Sequence, residues 1–214
     1  MPNADYARAR ILNTAYDIFG RVGYTATTVR MIASQADVSL SAIPYHFESK
    51  EKLFHCVINL ASQQFSDYFA SIRTEIQQYL TQDPCIETAE QLLFRLLDRH
   101  VDYVFDEENE KQLRLFFQLR TFRNSPQEVG DLLSETVVQL LNQLLRQIKP
   151  DWSQEYLSIF TYSLIGEQLF FFYHKPSVLL QLGLPEYSSE SIEIIRSVFF
   201  QKLKSALSEG CLPS

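Results

Sequence analysis

The chain has 214 residues, and 26 Asp plus Glu against 19 Lys plus Arg leave it at −7. With 46% apolar and 21% charged residues it can bury a substantial core, which excludes a disordered chain. Six glycines and eight prolines are few for strands joined by tight turns, so the bias is toward helices.

The front reads as three short helices. Ala7, Ile11, Ala15, Ile18, Phe19 and Val22 recur at helical spacing over about residues 5–22, and Gly23 offers a left-handed stop. Thr27 can cap a second helix, whose apolar stripe is Ile32, Ala33 and Ala36. Asp37, in the short connection Ala36-Asp37-Val38, tolerates a left-handed backbone. A third helix is expected after Ser39, crossing the second steeply.

From Ser49 the pattern changes. Phe54, Ile58, Ala61, Phe65, Phe69, Ile72, Ile76 and Leu80 are three or four residues apart, with neither Gly nor Pro before Pro84. One unbroken helix of roughly 30 residues is expected, about 45 Å long at 1.5 Å per residue. Leu93, Leu97, His100, Val101 and Val104 define the next stripe, ending in the acidic run 106–110, and Leu113, Phe116, Phe117 and Leu119 a shorter one. Ser125-Pro126-Gln127-Glu128 is a helix start, the serine and Glu128 satisfying free amides while Pro126 needs none. That helix runs to Pro150, another opens at Asp151 and ends before Pro176, a short turn spans Ser177 to Leu182, and Ser189 with Glu190 starts the last. The expected class is all-α, about nine helices, with no convincing strand.

Charge divides the chain. Residues 1–52 sum to +1 and the remaining 162 to −8, so a polyanion would have to meet the front. Cys56, Cys85 and Cys211 form neither a disulfide framework nor a metal motif, which points to a reducing cytoplasm. Met1 leads into polar residues, and no uncharged apolar run approaches the ~20 residues of a membrane helix, so neither secretion nor a membrane partner is expected.

Residues 29–47 have the apolar contacts (Ile32, Ala36, Val38, Ile43), the small residue (Ala33) and the turn residue (Asp37) that a helix-turn-helix needs. The segment Tyr45-His46-Phe47-Glu48-Ser49-Lys50-Glu51-Lys52-Leu53 resembles the signature following the recognition helix in TetR-family transcriptional regulators. With Ile11, Ala15, Phe19, Gly23 and Thr27-Thr28-Val29-Arg30-Met31-Ile32-Ala33, the resemblance covers about residues 8–58. The rear resembles the CecR-like subfamily through Arg120…Asn124-Ser125-Pro126 and Gly166-Glu167-Gln168-Leu169-Phe170…Lys175-Pro176.

The resemblance implies a DNA-binding helix-turn-helix domain over 1–50 and a ligand-binding and dimerisation domain over 51–214. Ser39, Leu40 and Ser41 would read base edges in the major groove, where hydroxyls hydrogen-bond and Leu40 can touch a thymine methyl. Thr27, Thr28, Arg30, Tyr45, His46 and Lys50 would contact the DNA, chiefly at phosphates, helped by helix N-termini. Two residues depart from the family pattern: Pro44, where tyrosine is common, and Asp37, where glycine is usual. Proline removes an amide donor, so a short or kinked recognition helix is expected.

A net +1 on the head is meagre for DNA, so a homodimer on a palindromic operator is expected. The rear stripes are by default core. The alternative is an apolar effector pocket of Phe65, Phe69, His100, Tyr103, Phe117, Gln118 and Arg120, polar groups standing on apolar faces. The last two helices carry more apolar surface than one inward face hides, and Tyr162, Ile165, Gly166, Leu169, Phe172, Ile195 and Phe199 are the expected dimer contacts, in a four-helix bundle. With no Gly-rich phosphate loop, nucleophile elbow or His/Cys cluster, neither an enzyme nor a cofactor or metal is expected. The rival is a helical protein-interaction adaptor that does not bind DNA.

Overall fold

The computed structural model describes residues 2–82, 85–121 and 127–208, with side chains over 5–82, 85–119 and 136–208. The elements in order are α1 (Pro2–Val22), α2 (Val29–Gln35), α3 (Ala42–Phe47), α4 (Lys50–Tyr68), α5 (Ala70–Leu80), α6 (Ile86–Phe105), a single 3-10 turn (Glu107–Asn109), α7 (Glu110–Thr121), α8 (Gln127–Ile148), α9 (Gln154–Tyr173), α10 (Lys175–Leu182) and α11 (Ser189–Ser208). The expected all-α class is found, with eleven α-helices among the described residues where about nine were expected. The helix start at Ser125 and Pro126 lies outside the described residues.

The chain forms two compact units. The first contains residues 1–68 and 107–133. Here α1 packs on α4 and α7 and also meets α2 and α3, so the helix-turn-helix shares its core with elements beyond residue 50. Ile11, Ala15, Ile18 and Phe19 of α1 are fully buried, with Ile32, Ile43, Leu53 and Phe54, as their spacing predicts. Gly20 lets α1 and α7 approach, since a Cβ there would lie 2.8 Å from the Lys111 Cβ. An ion pair between Lys111 and Asp17 and a buried bond from the Gln112 amide to the Ala61 carbonyl also fix α7 in this unit.

The second unit contains residues 69–106 and 134–214. Its α6 packs against α5, α9 and α11, burying Leu93, Leu97 and Val101. Arg196 of α11 pairs with Asp98 and Asp102 of α6, the latter at 2.7 Å. The Thr161 hydroxyl of α9 donates to Asn142 of α8 at 2.6 Å.

The unbroken helix expected from Ser49 to Leu80 is interrupted. Phe69 has φ −93° and ψ 1° and separates α4 from α5, at the point where the chain passes from the first unit to the second. Its ring is fully buried between His100 and Tyr103, at 6.2 and 5.8 Å. A one-residue interruption hardly disturbs apolar residues spaced three or four apart, so periodicity could not reveal it.

Candidate nucleic-acid interface and effector site

The turn between α2 and α3 is built as the residue types require. Ala36 closes α2, Asp37 takes φ 50°, and the Val38 amide returns to the Ala33 carbonyl at 3.0 Å. Arg10 of α1, which spacing gave no reason to single out, locks this turn. Its guanidinium donates to the carbonyls of Ala36 and Asp37, the latter at 3.2 Å, and lies 3.3 Å from the Asp37 carboxylate. That carboxylate is therefore partly neutralised although 94% exposed.

Ser39, Leu40 and Ser41 are all exposed, and the two serine hydroxyls lie 3.0 Å apart. Leu40 is 50% and Tyr45 80% exposed, large apolar surfaces that a solitary head would hide. Pro44 neither kinks nor interrupts α3. The helix starts at Ala42, which puts Pro44 in the first turn, where amides have no intrahelical partner and a missing one costs little. The expectation of a short helix holds, at six residues.

Thr28, not Thr27, caps α2. The Thr28 hydroxyl accepts from the Met31 amide at 3.2 Å. Thr27 is 1% exposed and its hydroxyl donates to the Gly23 carbonyl at 2.6 Å, so the contact expected of its side chain is removed and its role is to fix the turn after α1. Arg30 is exposed, and His46, half-buried, meets the Tyr45 ring edge-on at 4.9 Å. Lys50 opens α4 with its ammonium 4.2 Å from the centre of the Tyr24 ring, and partial burial lowers its pKa from the ordinary lysine value.

The seven residues expected around an effector divide between the units. In the second, Phe69, His100 and Tyr103 come together in a buried cluster. There His100 Nδ1 bonds to Gln168 Oε1 of α9. Burial pushes the His100 pKa down to about 4, against the opposing effect of that bond, so the ring is neutral at pH 7. Gln168 Nε2 is buried without a hydrogen-bond partner. Helical spacing puts Gln168 one turn from Leu164, and both are buried.

Phe65, Phe117 and Gln118 belong to the first unit. Phe65 meets Phe116 edge-on at 5.8 Å, and Phe117 is exposed. Gln118 ties α7 to α1, as its side chain donates to the Phe19 carbonyl and accepts from the Tyr24 amide. These placements give Phe65 and Gln118 structural work within the first unit. The Arg120 side chain lies outside the described residues.

On the expected dimer face Tyr162 and Gly166 are exposed, while Ile165, Leu169, Phe172 and Ile195 are half-buried. A Cβ at Gly166 would meet nothing within 4 Å, so within one chain this glycine leaves space. Phe199 is buried in its own chain and belongs to the core; the outward apolar residues of α11 are instead Ile194 and Val198, with Ile159 and Phe170 on α9. Helical spacing alone does not say which edge of a broad apolar stripe turns inward. Among the described residues no His/Cys/Asp/Glu group could hold a metal ion, and no helix is long and apolar enough to cross a membrane.

The family model of the bacterial regulatory proteins of the tetR family matches residues 11–57. Over 196 residues, 89% of this chain and 86% of the relative, the sequence is 26% identical to the HTH-type transcriptional dual regulator CecR of Shigella flexneri. It is 28% identical over 137 residues, 64% of this chain and 63% of the relative, to IcaR, the HTH-type negative transcriptional regulator of the biofilm operon icaADBC in Staphylococcus aureus strain Newman. The fold is shared with a Saccharomonospora viridis protein solved in complex with choline, at a TM-score of 0.62 and 19% identity, covering 92% of this chain and 95% of that one.

Proposed function

This chain belongs to the TetR family of transcriptional regulators, and we propose that it is a repressor that binds a palindromic operator as a homodimer and is released by a small, largely apolar effector. One observation carries the DNA-reading part. The turn locked by Arg10 presents Ser39, Leu40 and Ser41 to solvent, a pair of hydroxyls and an apolar side chain that suit base edges and a thymine methyl. Thr28, Arg30, Tyr45, His46 and Lys50 supply sequence-independent contacts beside them.

Residues 1–50 read the operator and 51–214 dimerise and sense. The exposed apolar residues of α9 and α11 support the dimer. The buried cluster of Phe69, His100 and Tyr103, with the unpaired Gln168 amide, favours an effector with a hydrogen-bond acceptor, which would satisfy that desolvated amide. Only an effector with different affinities for the DNA-bound and DNA-free arrangements can release the operator. The near full-length likeness to CecR supports the CecR-like subfamily, and the negative role in IcaR's name supports repression.

Selection of genomic fragments by the purified protein, repeated with Leu40→Ala and Tyr45→Ala, tests this reading. Both variants are expected to keep their fold, Leu40→Ala to relax the selected motif and Tyr45→Ala to weaken retention of every fragment. An unchanged motif with Leu40→Ala would remove residues 39–41 from the reading head, and a protein that retains no fragment would be an interaction adaptor.

A further inference from the structure

The turn after α1 connects two observations that the DNA-reading head leaves unused. Tyr24 follows Gly23, whose φ is 88°, and its ring packs against Phe19 and Phe54, with centroids at 5.8 and 4.9 Å. Its backbone amide donates to Gln118 Oε1 of α7 at 2.9 Å, and the same side chain donates through Nε2 to the Phe19 carbonyl at 3.0 Å. One amide therefore spans the bend and holds Tyr24 at both sides. The Lys50 ammonium sits over the same ring, 4.2 Å from its centre.

Lys50 differs from the ion-paired cations of the head. Lys52 pairs with Glu48 and Arg10 with Asp37, whereas among the described residues Lys50 meets a ring in place of a carboxylate, as Arg8 does at the Phe47 ring, 5.0 Å away. An ammonium on an aromatic face keeps its full charge and loses the freedom of a four-carbon stem. It also stands at the N-terminus of α4, where unpaired amides favour an anion.

We propose that Tyr24 is a positioning residue for DNA binding: its ring seats the Lys50 ammonium for a backbone phosphate, and α7 holds the ring in place through Gln118. The inference rests on the DNA-binding reading above and gives α7 a direct hold on a phosphate contact. A shift of α7 that released Gln118 would loosen one ionic contact per head without moving the residues that read bases.

The salt dependence of binding to a mixed-sequence duplex several helical turns long tests it, because phosphate contacts do not depend on sequence. Losing one such contact lowers the slope of log affinity against log salt by about 0.9 per head. Lys50→Met, Tyr24→Leu and Gln118→Leu are expected to lower the slope equally, the double variant Tyr24→Leu/Lys50→Met no further, and Tyr24→Phe not at all. Where Tyr24→Leu fails to fold by circular dichroism, a trifluorinated phenylalanine at position 24 keeps the ring's shape, removes its attraction for a cation, and should give the same deficit. A wild-type slope with the fluorinated ring or with Gln118→Leu, beside a lowered one with Lys50→Met, would overturn the positioning role. An unchanged slope with Lys50→Met would overturn the phosphate contact itself. Absence of binding by the unaltered protein even at low salt would remove the DNA-binding reading, and this inference with it.

Discussion

Arg10 reaches from α1 to close the turn between α2 and α3, and its bond to the Ala36 carbonyl matters more than its pairing with Asp37. The carboxylate is 94% exposed, and pairs so open to water contribute little, whereas an orphaned carbonyl at a helix end is costly. Arg10→Met is therefore expected to destabilise the protein by about 1–2 kcal/mol in urea unfolding. Asp37→Gly, which relieves the left-handed backbone, should change stability by less than about 1 kcal/mol and strengthen duplex binding by removing a negative charge. Weaker duplex binding by Asp37→Gly would contradict this account of the turn. His100 gives a pH signature. Its folded pKa of about 4 lies below the ordinary 6.5, so the unfolded chain binds the extra proton. The stability held above pH 6.5 is lost as pH falls through that value toward 4, up to about 3 kcal/mol. Thermal unfolding from pH 7 to pH 4 should show this loss in the wild type and a shallower one in His100→Met.

Elements differ in how much of themselves they showed in sequence. Asp37 was legible as a left-handed turn because few residue types tolerate positive φ, and α1 and α2 because their apolar positions recur at helical spacing and are buried. Thr27 and Thr28 were adjacent and equally able to cap, and only geometry shows that Thr28 takes the Met31 amide while Thr27 turns inward. The partners of Gln118 lie 99 and 94 residues away, a distance across which spacing says nothing, so the sequence shows it only as a polar group on an apolar face. The break at Phe69 kept the apolar phase. A start for α3 just after Ser39 makes Pro44 an interior helix breaker, whereas the start at Ala42 makes it a first-turn residue. Since α3 begins at Ala42, Pro44→Ala is expected to alter stability by less than about 1 kcal/mol, far from the ~3 kcal/mol of an interior proline. A stabilisation near the larger figure in chemical denaturation would mean that the proline does strain α3.

For the whole molecule, the net charge of −7 sets the terms of binding. A head with so little positive charge holds DNA only if several exact contacts act together, and two heads must act as one. The proposed dimer is therefore part of the proposed DNA binding. Tyr162 is 57% exposed on a single chain, so Tyr162→Glu leaves the monomer's own packing alone. By analytical ultracentrifugation it should shift the protein toward single subunits, with duplex affinity falling at least ~10-fold as the linkage between heads is lost. A dimer of undiminished strength would place the interface elsewhere.

Residues 28–50 of two joined chains are proposed to grip a DNA duplex. A fluorescence anisotropy titration of a labelled fragment recovered from genomic selection, repeated from about 50 to about 200 mM salt, tests this. Saturation at two chains per site is expected, with an affinity that falls by ~10²-fold or more across that range, as Arg30 and Lys50 of both heads would give. No change in anisotropy at the lowest salt, or an affinity indifferent to salt, would contradict it.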